Sequence, residues 1–360
     1  MCFEEIFIMK MPYNYCTLFD KNYLDKGITM IDSLSLVATE YRIFVLTMDV
    51  YTYHALNERY KENARIELVN MDSFLNDKLI EAKSNRSVAQ FCWTCTASLI
   101  QYLFTNYNLY ACTYIDSDMY FFRDPSILVD ELLLSGKDVQ VIEHGFKDDI
   151  LGRAELKRNG RFCVEFNTFL NNTNGNKVLS DWVDKTIEYC SNEMSDQYYV
   201  NQWLDRYDCI NIIKNKGAGV APWNINRYKL SEFREELIDV YCDGEKSSIP
   251  LIFYHFENIN FYDEGTAKIN VFVKYLKVDD DLVNKIYEIY LCHIKRIRLY
   301  LKEQFSWEPV INKLHLYTDE DGGKKSKIQL VVEMIGKDFA YKFVYSFFSL
   351  LNKSKDFISF

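Results

Sequence analysis

The apolar positions of this chain alternate between two periods. Tyr13–Phe19 (YNYCTLF) is a short run that is apolar on both faces of an extended segment, and Asp20–Tyr23 reads as the turn after it. From Tyr23 to Ala38 the spacing becomes that of a helix, with Leu24, Ile28, Ile31 and Leu34 on one face. Arg42–Met48 (RIFVLTM) predicts a second strand, Thr52–Tyr60 a short helix and Ile66–Asn70 a third strand. Ser87–Tyr107 predicts a long helix leading into another apolar run. Strands alternating with helices in this order predict an α/β domain with a mostly parallel central sheet flanked by helices. In such sheets ligands bind outside the carboxyl ends of the strands.

The run after the long helix is LYACTYIDSDMYFFRDP, Leu109 to Pro125. Tyr110, Cys112 and Tyr114 alternate with Ala111, Thr113 and Ile115, so both faces are largely apolar, as in a buried parallel strand. Asp116 and Asp118 follow at once, and on an extended segment residues i and i+2 point the same way. Two unpaired carboxylates at the end of a buried strand are costly. A divalent cation removes that cost, hard oxygen ligands suit Mg²⁺ or Mn²⁺, and a cation held there can hold a diphosphate. Other closely spaced aspartates have plainer contexts. Asp279–Asp281 precedes LVNKIYEIYL and reads as a solvated helix start, and Asp319 and Asp321 lie in the polar, turn-rich TDEDGGKKSK.

Length and composition frame this reading. With 360 residues, 48% of them hydrophobic, the chain can bury a sizeable core in one large domain plus a small one. The net charge of −10 argues against a general nucleic-acid binder. Residues 282–360 carry 13 Lys+Arg against 9 Asp+Glu, so the acidity lies in the rest. We therefore expect a catalytic domain over residues 1–270 and a mainly helical accessory region over 271–360. In the latter, Asp281–Phe305 is helical with a basic stripe (IKRIRLYLK), and Gly336–Phe360 alternates Lys with aromatics. Such a segment suits a peripheral membrane surface, docking on the catalytic domain, or an oligomer contact. Ten scattered cysteines fit free thiols in a reducing compartment. Cys92 and Cys95 form one C-x-x-C within a helical pattern and read as core rather than a zinc or redox site. No run of 18 apolar residues occurs, and MCFEEIFIMKMP lacks the basic start of a signal peptide, so a cytoplasmic protein is expected.

At this point a resemblance enters. YCTLFDKNYLDKGITMIDSL is similar to the first strand and nucleoside-holding turn of the GT-A nucleotide-sugar glycosyltransferases, above all the retaining kind typified by glycogenin and the bacterial lipopolysaccharide galactosyltransferases. YIDSDMYFF resembles their D-x-D motif, Phe166–Leu170 (FNTFL) their F-N-x-G segment, and Asp196–Asn201 (DQYYVN) their D-Q-D-x-x-N segment. Tyr254–Phe256 (YHF) resembles the late metal-site histidine. Lys216–Asn224 (KGAGVAPWN) resembles a signature of glycosyltransferases from bacterial surface-polysaccharide clusters. These segments run in the family's order over about residues 13 to 260. The chain departs from the family in lacking the F-N-x-G glycine, in carrying Tyr198 for the second acid of D-Q-D, and in lacking H-x-x-G-x-x-K-P-W after His255.

The resemblance implies a GT-A fold and transfer of a hexose, with retention, from a nucleotide-sugar (a UDP-sugar) to a surface glycan or lipid-linked acceptor. It implies a metal on Asp116, Asp118 and His255, and an imidazole ligand favours Mn²⁺ over Mg²⁺. It places Asn167, Asp196 and Gln197 at the sugar and its reacting carbon, and Asp116 and Ser117 on the donor. Thr17, Phe19 and Asp20 end the first strand and are expected at the nucleoside, with Tyr23 beside them or starting the next helix. Trp93 and Thr94 fall early on the long helix and are expected to line the donor pocket or the core. Lys216, Gly217 and Gly219 suit a second clamp on the diphosphate, because glycine lets backbone approach and lysine meets phosphate as a point charge. A plain turn with a packed Trp223 explains the same loop. Ser195 is expected to cap a helix that begins at Asp196. The rival functions are a nucleotidyltransferase, which would need a basic, glycine-rich loop after the first strand, and a non-catalytic sugar-nucleotide-binding or scaffold protein.

Overall fold

The computed structural model describes residues 12–263, 265–269, 271, 278–311 and 357–359. The strands in chain order are β1 (Tyr13–Phe19), β2 (Tyr41–Thr47), β3 (Ile66–Asn70), β4 (Ala111–Ile115), β5 (Met119–Phe121), β6 (Val139–Glu143), β7 (Phe162–Leu170) and β8 (Ile210–Ile212). They continue with β9 (Tyr228–Arg234), β10 (Leu237–Cys242), β11 (Ile249–Pro250), β12 (Phe253–His255), β13 (Asn260–Asp263), β14 (Thr266–Lys268) and β15 (Phe357–Ser359).

The chain forms two compact units. The first contains the described residues up to Ser117, then Arg123–Glu143 and Phe162–Asn215. Its seven-stranded sheet has the order β3-β2-β1-β4-β7-β6-β8. β3, β2, β1 and β4 are parallel neighbours, β6 and β8 are parallel, and β7 runs antiparallel to both β4 and β6. The expected mostly parallel α/β sheet is therefore present, with one reversed strand. All nine residues of β7 are buried, as a strand covered on both faces requires.

Local chemistry sets the helices. Val88–Tyr107 starts on a capping box, Ser87 with Gln90, and stops at left-handed Asn108. Val50–Tyr60 begins two residues before its apolar pattern does, because the Asp49 carboxylate accepts the Thr52 N–H at 2.8 Å. Leu24–Val37 lies against the ring of Phe19: a Cβ at Gly27 would sit 2.4 Å from it, so only glycine permits the approach. Two short helices, Met71–Phe74 and Asp77–Ser84, fill a stretch in which the apolar pattern predicts no element. Beneath the helices Trp182 stacks on Phe169 and meets Trp203 edge-on, all three buried.

The second unit is assembled from Asp118–Phe122, His144–Arg161 and the described residues from Lys216 on. β5 pairs antiparallel with β12, β9, β10 and β11 form a three-stranded sheet, and β13, β14 and β15 form another. The helix Asp280–Phe305 opens on Asp279, whose side chain accepts the Leu282 N–H. It packs an aromatic core in which Phe256 stacks on Tyr290 and meets Tyr287 edge-on.

One expectation about the aspartates is corrected here. Strand β4 ends at Ile115, and Ser117 and Asp118 form a turn before β5, so the extended i, i+2 geometry does not hold across them. β5 does not prolong the seven-stranded sheet: its hydrogen bonds go to β12. The basic, aromatic segment 336–360 lies outside the described residues apart from 357–359, as do Asp319 and Asp321.

Candidate functional site

The pairing of β5 with β12 puts Met119 opposite His255. The Phe256 N–H donates to the Asp118 carbonyl at 2.8 Å, locking the backbone on either side of the pair. His255 Nε2 then lies 3.0 Å from Asp118 Oδ1, between residues 137 apart in sequence, and the two side chains are only 7% and 14% exposed. The donor set is one hard carboxylate oxygen and one imidazole nitrogen, the mixture that suits Mn²⁺. The two atoms are within hydrogen-bond distance of each other, and a separation of about 3.0 Å is also that of two adjacent ligands each about 2.1 Å from an octahedral ion.

The glycine-bearing loop lies behind His255. The His255 N–H donates to the Val220 carbonyl at 2.9 Å and the Ile252 N–H to the Gly217 carbonyl at 2.7 Å, which binds the loop to β12. Gly219 has φ +69°, a conformation that favours glycine. Lys216 is partly buried, and its carbonyl accepts the Tyr228 hydroxyl at 3.0 Å. Trp223 is buried, as its packing role requires, and stands edge-on to His255 with ring centres 5.2 Å apart. His144 approaches Trp223 in turn, at 5.3 Å. Burial pushes the His144 imidazole down to about 4, so it is neutral near pH 7. No pattern in EHGFKDD marks His144, because its partner lies 79 residues further on.

The other sequence-selected residues in the first unit group as follows. Asp20 and Asp116 follow the carboxyl ends of neighbouring parallel strands β1 and β4. The Tyr114 hydroxyl feels the charges of Asp116 and Asp196, and the Cys92 thiol those of Asp20 and Asp196, so acids from positions 20, 116 and 196 gather in one region. Asp196 starts the helix Asp196–Val200 after Ser195, whose side chain makes no capping bond. Its carboxyl is raised to about 7 by burial, which outweighs the hydrogen bonds from Thr96 and from the Gln197 N–H at 2.9 Å. Gln197 is half-buried. Asn167 is fully buried in β7, where its amide nitrogen can donate to the Cys163 and Phe166 carbonyls at 3.2 Å each.

Thr17 and Phe19 are buried in β1, and Ser117 is also buried. Asp20 accepts the Asn22 N–H at 2.9 Å, and Tyr23 is 43% exposed under the ammonium of Lys26. Trp93 is half-buried, while Thr94 is fully buried and takes a hydrogen bond from Arg86. Cys95 is buried, and burial raises the Cys92 thiol to about 12, the behaviour of inert core cysteines.

No protein-family model matches the chain. It is 26% identical over 292 residues to YfnD of Bacillus subtilis (strain 168), a protein described as uncharacterized, covering 79% of this chain and 89% of that protein. It is 28% identical over 295 residues to YfnF of the same organism, also uncharacterized, covering 79% and 93%. Among solved structures the chain is similar to three glycosyltransferases, each at a TM-score below 0.5. GlyE of Streptococcus pneumoniae TIGR4 shares 14% identity over 58% of this chain and 47% of that one, with a TM-score of 0.41. The galactosyltransferase LgtC, solved with donor and acceptor sugar analogues, shares 12% over 68% and 87%, with a TM-score of 0.41. Mouse xyloside xylosyltransferase 1 shares 10% over 69% and 98%, with a TM-score of 0.43. Among the described residues no helix is long and apolar enough to cross a membrane.

Proposed function

We propose that this chain is a metal-dependent GT-A glycosyltransferase that moves a hexose from a UDP-sugar to a glycan or lipid-linked acceptor with retention. The observation that carries the reading is the Asp118–His255 pair, brought together across 137 residues at 3.0 Å and largely shielded from water. Asp116, two residues earlier in the chain, is the further oxygen ligand, directly or through water. A bound Mn²⁺ or Mg²⁺ supplies Lewis-acid neutralisation of the charge that develops on the leaving diphosphate.

The remaining roles belong to this chain's own side chains. Asp20 and Tyr23, with the backbone at Thr17 and Phe19, take the nucleoside, Trp93 and Thr94 border it, and Ser117 contacts the donor. Lys216 meets the diphosphate as a point charge beside the close backbone of Gly217 and Gly219. Asp196, protonated over part of the neutral range, hydrogen-bonds sugar hydroxyls, and Gln197 and Asn167 flank the anomeric carbon. The helix Asp280–Phe305 offers a surface for a peripheral membrane contact: Leu299 is 54% exposed on a face that also carries Lys295, Arg296 and Lys302.

Calorimetric titration of UDP, GDP and CMP, with and without Mn²⁺, on wild type and Asp118→Ala tests the reading. UDP is expected to bind only with Mn²⁺, and the mutant to lose at least ~100-fold in affinity or transfer rate. A folded wild type that binds no nucleotide in either condition would leave the glycosyltransferase reading untenable. Binding without sugar transfer to any acceptor would favour the scaffold reading.

A further inference from the structure

We propose that Trp223 is a positioning residue for the imidazole of His255, itself held at its angle by the backbone carbonyl of His144. The inference rests on the reading of His255 as a cation ligand and names the part of the chain that orients it. An imidazole has two rotatable bonds, and one contact at Nε2 fixes the position of that atom but not the tilt of the ring. A ring packed on its flank restrains that tilt. Trp223 does so edge-on, with ring centres 5.2 Å apart and planes at 86°.

The wall is tied to main chain. The Trp223 Nε1–H donates to the His144 carbonyl at 2.8 Å, and the same oxygen accepts the Asn224 amide at 2.7 Å, so both its lone pairs are used. The Asn224 amide also donates to the Gly219 carbonyl at 2.7 Å, and its oxygen accepts the Ala221 N–H at 3.0 Å. With Asn224 buried, these bonds are unscreened, and the loop becomes one braced piece. His144 is fixed on its other side, stacked on Phe146 at 4.9 Å and with its N–H on the Arg161 carbonyl at 2.9 Å. The arrangement is that of an outer shell that orients a ligand, and loss of such a partner typically costs 10–100-fold in metal affinity.

The test uses the full chain with Trp223→Phe, which keeps an aromatic flank but loses the donor, and Trp223→Leu, which removes the flank. Thermal melting checks folding. Nitrogen spectra of ¹⁵N-histidine-labelled, metal-free protein report the His255 ring, and titration followed by electron paramagnetic resonance reports Mn²⁺ affinity. The expected result is one sharp His255 tautomer in wild type, broadened or mixed signals in Trp223→Leu, and Mn²⁺ binding weakened about 10–100-fold, with Trp223→Phe between. Should the leucine variant fail to fold, the phenylalanine variant decides alone, with a loss of about tenfold expected. A folded variant with wild-type His255 signals and wild-type Mn²⁺ affinity overturns the proposal. If wild type binds no Mn²⁺ while its single His255 tautomer is still lost in Trp223→Leu, the positioning stands and the metal reading falls.

Discussion

Asp196 in the sheet unit and Asp118 in the second unit are both shielded acids, and their neighbours differ in kind. Asp196 is enclosed by core: burial raises its carboxyl to about 7, and the Thr96 hydroxyl and the backbone N–H groups of Gln197 and Asp196 partly offset it. Asp118 has the His255 imidazole at 3.0 Å. The first environment suits hydrogen bonds to neutral hydroxyl groups, the second a positive ion. The difference arises from where each acid sits in the chain. Asp196 lies at a helix start against the sheet core. Asp118 lies where the chain leaves one unit for the other.

The largest effect expected from separating these environments is structural. Trp182 is fully buried, stacks on Phe169, and donates its indole N–H to the Asp196 carbonyl at 3.1 Å. Trp182→Ala should cost about 3–5 kcal/mol in urea denaturation, yet leave Mn²⁺ affinity unchanged where the protein is still folded. If Mn²⁺ affinity falls in step, the contrast between the two acids is lost.

A somewhat smaller effect is expected from pH. The Asp196 carboxyl titrates at about 7 when folded and near 3.8 when unfolded, so between these values the folded state binds more protons. Its contribution to stability is complete below 3.8 and is lost as pH rises through 7. The size is on the order of 4 kcal/mol. In urea melts from pH 4 to 8, the stability of wild type relative to Asp196→Asn should fall by that order. A difference that stays flat with pH would make Asp196 an ordinary acid and remove its half of the comparison.

Much of the sheet unit was legible in the sequence because its information is local. β1, β2 and β3 match their apolar runs to within a residue, and the helix Leu24–Val37 follows its spacing, because each element buries a face its own pattern declares. The turn at Ser117–Asp118 was not legible, since the apolar run resumes at Met119 and hides the change of partner from β4's sheet to β12. Motif order singled out His255, and the segment KGAGVAPWN a packed Trp223, but the approach of Trp223 to His255 and its bond to His144 carry no local signal: that bond joins positions 79 apart. The second unit is stitched from three stretches of chain, and contacts of that span leave no periodicity to read.

The decisive measurement of a cation on Asp118 and His255 is pulsed electron paramagnetic resonance of Mn²⁺ bound to the ¹⁵N-histidine-labelled protein. Coupling to a single imidazole nitrogen is expected, absent in His255→Ala, with Mn²⁺ binding itself lost in Asp118→Ala. Mn²⁺ bound tightly with no nitrogen coupling, or bound unchanged in both variants, would contradict it.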